Sequence, residues 1–128
     1  IHLKMTETND ANAKWDAQLR KGTLELAVLG ALQHEAKYGL ALLNYFRTFD
    51  TMQITEGTLY PLLDRLKREG VLTASWQQEG EQRPRKFYAL TTLGHQKLNE
   101  LSARWQRSVE DLQQLLDAPS KKKESDNE

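Results

Sequence analysis

The 128-residue sequence contains no cysteine, which excludes disulfide scaffolds, thiolate zinc fingers, iron–sulfur clusters and thiol chemistry in one step. It has no net charge either. Eighteen Lys and Arg meet eighteen Asp and Glu, so polycationic binding of nucleic acid by bulk charge is excluded and any anion site has to be local. A long apolar run is also missing: the longest, Leu24 to Leu32, is interrupted by Glu25 and is far short of the roughly 20 residues that span a bilayer. With no signal-peptide pattern, the expectation is a cytoplasmic chain with no membrane partner. Catalytic signatures are absent as well. His34 and His95 fall in separate elements, no spacing matches a metal site, and there is no phosphate loop or nucleophile elbow, so neither an enzyme nor a cofactor is expected.

What is present is enough for one ordinary domain. Ile1 to Lys4 precede Met5, and residues 1–13 read as a disordered N-terminal segment or an expression remnant. The tail, residues 119–128, reads as disordered and solubilising, the run Lys121, Lys122, Lys123 being offset by neighbouring acids. Between them, Leu24, Leu26, Val28, Leu29 and Leu32 describe a buried helix, with Gly22 as its cap. A second helix is expected from Tyr38 to Phe49. A third starts at Thr55 as cap, carries Leu59, Leu62, Leu63 and Leu66 at spacings of three and four, and stops at Gly70. The period then changes to two: Leu72, Ala74 and Trp76, and later Tyr88 and Leu90, define two strands joined by the polar tip Gln78 to Pro84. Thr91 can cap a last helix to Leu116, roughly 35 Å long at 1.5 Å per residue. Its apolar positions Leu98, Leu101, Trp105, Val109, Leu112 and Leu115 form a heptad-like seam for a second long helix.

Three helices, a two-stranded hairpin and a long helix predict a mainly α fold: a winged helix-turn-helix over residues 14–91, with a C-terminal dimerisation helix over 92–118. With its leucines inward, the third helix presents Gly57, Pro61, Asp64 and Arg68, flanked by Thr58, Tyr60 and Arg65. Its start, Thr55 to Thr58, offers unpaired N–H groups to a phosphate. Arg83, Arg85 and Lys86 put three cations at the hairpin, suited to contacting a DNA backbone. Each feature alone is more often a solvated polar face, and their ordered combination points to double-stranded DNA. Pro61 inside the helix and Asp64 on its outer face run against that reading, as do the seven basic and six acidic residues between Arg47 and Lys86. They imply moderate affinity that depends on salt and on binding as a dimer. Trp76 is assigned to the small core, and Trp15 with Leu19 to docking on a partner subunit. Trp105, central on the seam, would meet its symmetry mate across a two-fold axis, where paired indoles either pack as an interface or hold a flat aromatic ligand. A winged-helix protein-interaction module remains the alternative, and the basic wing argues against it.

The stretch Gly57, Thr58, Leu59, Tyr60, Pro61, Leu62, Leu63, with Arg65, Leu66 and Gly70, is followed by Arg85, Lys86, Phe87, Tyr88, Ala89, Leu90, Thr91 and Gly94. Together they strongly resemble the PadR family of transcriptional regulators, as do Gly22, Leu24, Glu25 and Leu26 and the pair Tyr38, Gly39. The resemblance runs from about Leu19 to Leu116 and is to the smaller subfamily with a single C-terminal helix. It implies a homodimeric winged-helix repressor acting on a palindromic operator and responding to phenolic or other planar aromatic compounds. Carried over by position, Thr55, Glu56, Gly57, Thr58, Tyr60, Pro61 and Arg65 become DNA-facing, and Arg83, Arg85 and Lys86 become the wing; the resemblance also favours a ligand role for Trp105, placed on the seam, and Trp15 is the second effector-binding candidate.

Overall fold

Leucine packing sets the core. Leu29, Leu42, Leu43, Leu59, Leu63 and Leu66, with Val28, have fully buried side chains, and they come from three successive helices. The computed structural model describes residues 2–120, and side chains from Asp10 onward. Helix α1 spans His2–Ala31, α2 Gly39–Phe46, α3 Glu56–Arg68 and α4 Thr92–Leu116, with strands β1 Lys37–Tyr38, β2 Leu72–Gln77 and β3 Arg85–Leu90. The chain divides into two units, residues up to Leu98 and residues from Asn99 onward. The first holds the winged helix-turn-helix. The second holds the remainder of α4.

Helix α1 departs from expectation at its start. Residues 2–13, expected as a disordered lead, are helical, and Gly22 lies inside the helix and does not cap it. The segment has no Gly or Pro ahead of Gly22, and a helix already nucleated by the packed Leu24, Val28, Leu29 and Leu32 can propagate backwards through such residues at little cost. Helix α2 is shorter than expected. It stops at Phe46, and the chain tightens into turns in which the Thr48 and Phe49 N–H groups donate to the Tyr45 and Phe46 carbonyls. The Thr48 hydroxyl competes for the same Tyr45 carbonyl at 2.7 Å, and the Gln53 amide donates to the carbonyls of Arg47 and Phe49.

Helix α3 runs through Pro61 without a break and ends in a Schellman motif. The Val71 N–H donates to the Leu66 carbonyl and the Gly70 N–H to the Lys67 carbonyl, each at 3.0 Å. This geometry needs the positive φ of 79° at Gly70. It also delivers Val71 and Leu72, both buried, to the start of β2.

The sheet has three strands, not two, in the order β1-β3-β2, all antiparallel. Lys37 pairs with Tyr88 and Tyr38 with Phe87. Beside them the hairpin is in register from Leu72 opposite Leu90 to Gln77 opposite Arg85. Thr91 then joins hairpin to α4: its hydroxyl donates to the Gly70 carbonyl at 2.6 Å and accepts the Gly94 N–H at 3.0 Å, the cap expected of it. Gly94 lies so close to the Val71 carbonyl that an added Cβ would collide with it. Past Gly94, no described residue of α4 is buried. The charged run 121–123 and the tail beyond it lie outside the described residues.

Candidate nucleic-acid interface

The start of α3 is built with little side-chain support. Thr55 takes the extended conformation of a cap residue, φ −104° and ψ 162°, and its carbonyl accepts the N–H groups of Thr58 and Leu59. Its side chain, however, makes no capping bond to the backbone and lies 3.2 Å from the Thr58 hydroxyl. The first turn therefore keeps its N–H groups uncapped by side chain, with the positive end of the helix dipole behind them. Glu56, Gly57, Thr58 and Pro61 are all exposed. A Cβ on Gly57 would meet only the Thr55 hydroxyl, at 3.9 Å, so nothing inside the chain requires glycine there.

Tyr60 is placed by α2. Its ring rests on Gly39 closely enough that a Cβ at Gly39 would overlap it. From there it borders an open cleft of about 520 Å³ that is also lined by Leu40, Trp76, Arg83, Arg85 and Lys86. The cleft brings the hairpin cations to Tyr60 of α3, whereas Thr55 and Thr58 at the start of that helix line a separate cleft with Arg20, Lys21 and Leu24 of α1. The Arg85 guanidinium stacks 4.2 Å from the centre of the Tyr38 ring, and Tyr38 meets Phe87 edge-on at 5.3 Å. The Lys86 ammonium lies 5.7 Å from the Tyr88 ring. Burial, with the charge of Asp64 and then Tyr60 as lesser causes, pushes the Tyr88 phenol above its ordinary pKa.

Arg65 is ion-paired within the chain. Its guanidinium donates to Glu69 at 2.7 Å and to Glu25 of α1 at 3.0 Å, while Lys97 of α4 lies 3.5 Å from Glu25 and 3.7 Å from Glu69. Hydrogen bonding to Glu69 raises the Arg65 pKa above its already high ordinary value. Its guanidinium in turn holds the Glu69 carboxyl below the usual carboxylate range. The i, i+4 spacing of Arg65 and Glu69 was a readable signal for half of this network; its contacts to α1 and α4 had none.

Trp76, assigned from its alternation to the core, is 71% exposed. Trp15 is 63% exposed on α1 and Leu19 is exposed beside it. On α4, Leu98 and Leu101 are half-buried, Trp105 is 47% exposed, and Val109, Leu112 and Leu115 are exposed. Further apolar exposure lies between α1 and α2, where Tyr45 and Phe49 meet edge-on at 5.3 Å.

Three core helices, a sheet-tethered wing and a basic cleft beside an uncapped α3 define a winged helix-turn-helix regulator. Residues 28–100 match the Transcriptional regulator PadR-like family. The chain belongs to that family. Among solved structures it is similar to a PadR-family transcriptional regulator from Eggerthella lenta, with 32% identity, a TM-score of 0.77, and coverage of 89% of this chain and 99% of that one. It is similar also to a PadR-like transcriptional regulator from Bacillus cereus, with 27% identity, a TM-score of 0.73, and coverage of 80% and 99%. A third is Bacillus subtilis PadR, solved in complex with operator DNA, with 29% identity and a TM-score of 0.54; the match covers 61% of this chain and 45% of that one. Among the described residues, no helix is long and apolar enough to cross a membrane.

Proposed function

We propose that the chain is a homodimeric, sequence-specific repressor of transcription in the cytoplasm that binds a palindromic DNA operator and is released by a planar aromatic effector. The observation that carries the DNA reading is the cleft in which Arg83, Arg85 and Lys86 stand beside Tyr60 of α3. Cations of the wing hold phosphates, the uncapped first turn of α3 adds backbone donors, and Thr58, Tyr60 and neighbouring side chains reach base edges in the major groove. Gly57 lets a phosphate or a base approach the backbone, which accounts for a glycine that packing inside the chain does not need. The operator complex of Bacillus subtilis PadR supports this reading.

Dimerisation falls to Leu98, Leu101, Trp105, Val109, Leu112 and Leu115. Among the described residues none of these six is buried, Leu98 and Leu101 being half-buried and the other four exposed. Trp105, with Trp15 as a second candidate, is where a flat effector would stack. The deciding experiment measures binding to DNA upstream of the chain's own gene and to scrambled DNA at two salt concentrations, with and without candidate phenolics. Preference for the native duplex that phenolics abolish is the expected result. Equal binding to both duplexes overturns the sequence-specific reading, and indifference to every phenolic removes the effector.

A further inference from the structure

The inward face of β2 continues past the end of the core. Residues two apart on a strand share a face, so Leu72, Ala74 and Trp76 point the same way. Leu72 is buried opposite Leu90, Ala74 is half-buried opposite the buried Tyr88, and Trp76, opposite Lys86, is 71% exposed. The largest side chain of the stripe therefore sits where the core has run out, over the cleft shared with Leu40 and Tyr60. That cleft is asymmetric in chemistry. Arg83, Arg85 and Lys86 line it, no Asp or Glu does, and Trp76, Tyr60 and Leu40 supply apolar surface. The hairpin's acids, Glu79 and Glu81, lie in the turn beyond β2 and do not line it. Lys86 shares the sheet face of Trp76, whereas Arg85, one residue before it, alternates to the other face and stacks on Tyr38.

The occupant has to be anionic along one edge and apolar along the next. A DNA strand has this alternation, with phosphates separated by the apolar faces of deoxyribose. We infer that Trp76 is a DNA-contacting residue whose indole packs against a deoxyribose while Arg83, Arg85 and Lys86 hold the adjoining phosphates. The inference rests on the DNA reading proposed above and adds to it a contact that is not electrostatic.

The two kinds of contact separate by salt. Neutralising a phosphate releases counterions and sets the slope of log affinity against log salt, whereas covering apolar surface releases none. The experiment uses the full chain and a duplex that the wild-type chain enriches from a random pool, titrated over a salt series with W76A, W76F and the double variant R83A/R85A. W76A is expected to weaken binding by about ten-fold at every salt concentration with an unchanged slope, and W76F to restore most of it. The double variant flattens the slope. The DNA-induced change in indole fluorescence should be lost in W76F, which keeps Trp15 and Trp105. An unchanged affinity in W76A, or a fluorescence change that survives in W76F, overturns the inference. So does quenching of Trp76 by a soluble aromatic carboxylate when W76A leaves DNA affinity intact, because that result assigns the cleft to a small molecule. If R83A/R85A leaves the slope unchanged while W76A behaves as expected, the phosphate role of the wing fails and the indole contact stands. A wild-type chain that enriches no duplex overturns both.

Discussion

At the scale of single residues, two glycines illustrate different constraints. Gly94 is fixed from inside: a Cβ there would collide with the Val71 carbonyl, which itself accepts the Thr91 N–H at 3.1 Å. Backbone cannot yield as a flexible side chain can, so Gly94→Ala is expected to destabilise the fold by about 1–3 kcal/mol, read as a lower urea midpoint with an unchanged m-value. Gly57 is in open space. Alanine is the better helix former by roughly 0.5–1 kcal/mol in an interior position, so Gly57→Ala should leave the urea midpoint unchanged or raise it. Under the proposed function it should also weaken operator binding, since the methyl group would stand between the helix start and the DNA. A Gly57→Ala variant with full operator affinity would remove Gly57 from the interface. Thr58 belongs to the same test: it is exposed and its hydroxyl meets the exposed Thr55 hydroxyl, so Thr58→Ala should narrow the gap between operator and random DNA by about 1–3 kcal/mol with the fold intact, measured by competition binding.

At the scale of elements, the ion network ties α3 to its neighbours. Arg65 on α3 and Lys97 on α4 each bridge Glu25 on α1 and Glu69 at the end of α3, and the groups are part-exposed, so the network orients more than it stabilises. The Glu69 carboxyl is depressed in the folded state. Its contribution is therefore complete above the usual carboxylate pKa of about 4.3 and is lost as pH falls through the folded-state value. Glu69→Gln should lower the urea midpoint slightly at pH 7 and have no effect once the pH is low enough to protonate Glu69, and 1 M salt should shrink the difference at pH 7. A difference that is the same at both pH values would mean the carboxylate's charge is not what matters. Elements held by local pattern were readable in sequence: α3 from its leucine spacing and Gly70, the hairpin from its alternation, α4 from the Thr91 cap. Those held by distant contacts were not. The two-residue β1 exists through pairing with β3, and the first half of α1 has no apolar period from which a helix could be read. Trp76 followed the strand's alternation faithfully and was misassigned because alternation reports which face a residue occupies, not where the core beneath that face ends. Arg65, expected to face DNA from its place flanking the outer side of α3 and from the family resemblance, is also tied into the chain. Its two carboxylate partners come from the next turn and from a helix forty residues earlier, and only the nearer of them is visible as spacing.

At the scale of the whole molecule, the proposed dimer connects these parts to regulation. Along α4, Trp105, Val109, Leu112 and Leu115 recur at intervals of three and four and are exposed, Leu115 at 72%, an arrangement suited to a partner helix. Sedimentation at micromolar concentration is expected to give a dimer, and Leu112→Glu to give a monomer that retains its helical signal but binds operator poorly. Two-fold operators require reading helices about 34 Å apart, one turn of DNA, so a ligand seated where the two copies of α4 meet can alter that spacing. Reciprocity then fixes a sign: a ligand that favours a dimer of the wrong spacing must itself bind less tightly when operator is present, by the same factor by which it weakens operator binding. Trp105→Ala separates the two roles of this residue. If the indole stacks on an aromatic effector, the variant should remain dimeric and bind operator, yet lose ligand-induced quenching and derepression together, with Trp15 and Trp76 still in place as internal controls. If quenching survives, or if saturating ligand leaves operator affinity unchanged in the wild-type chain, Trp105 is interface packing and the proposed route from effector to DNA is wrong.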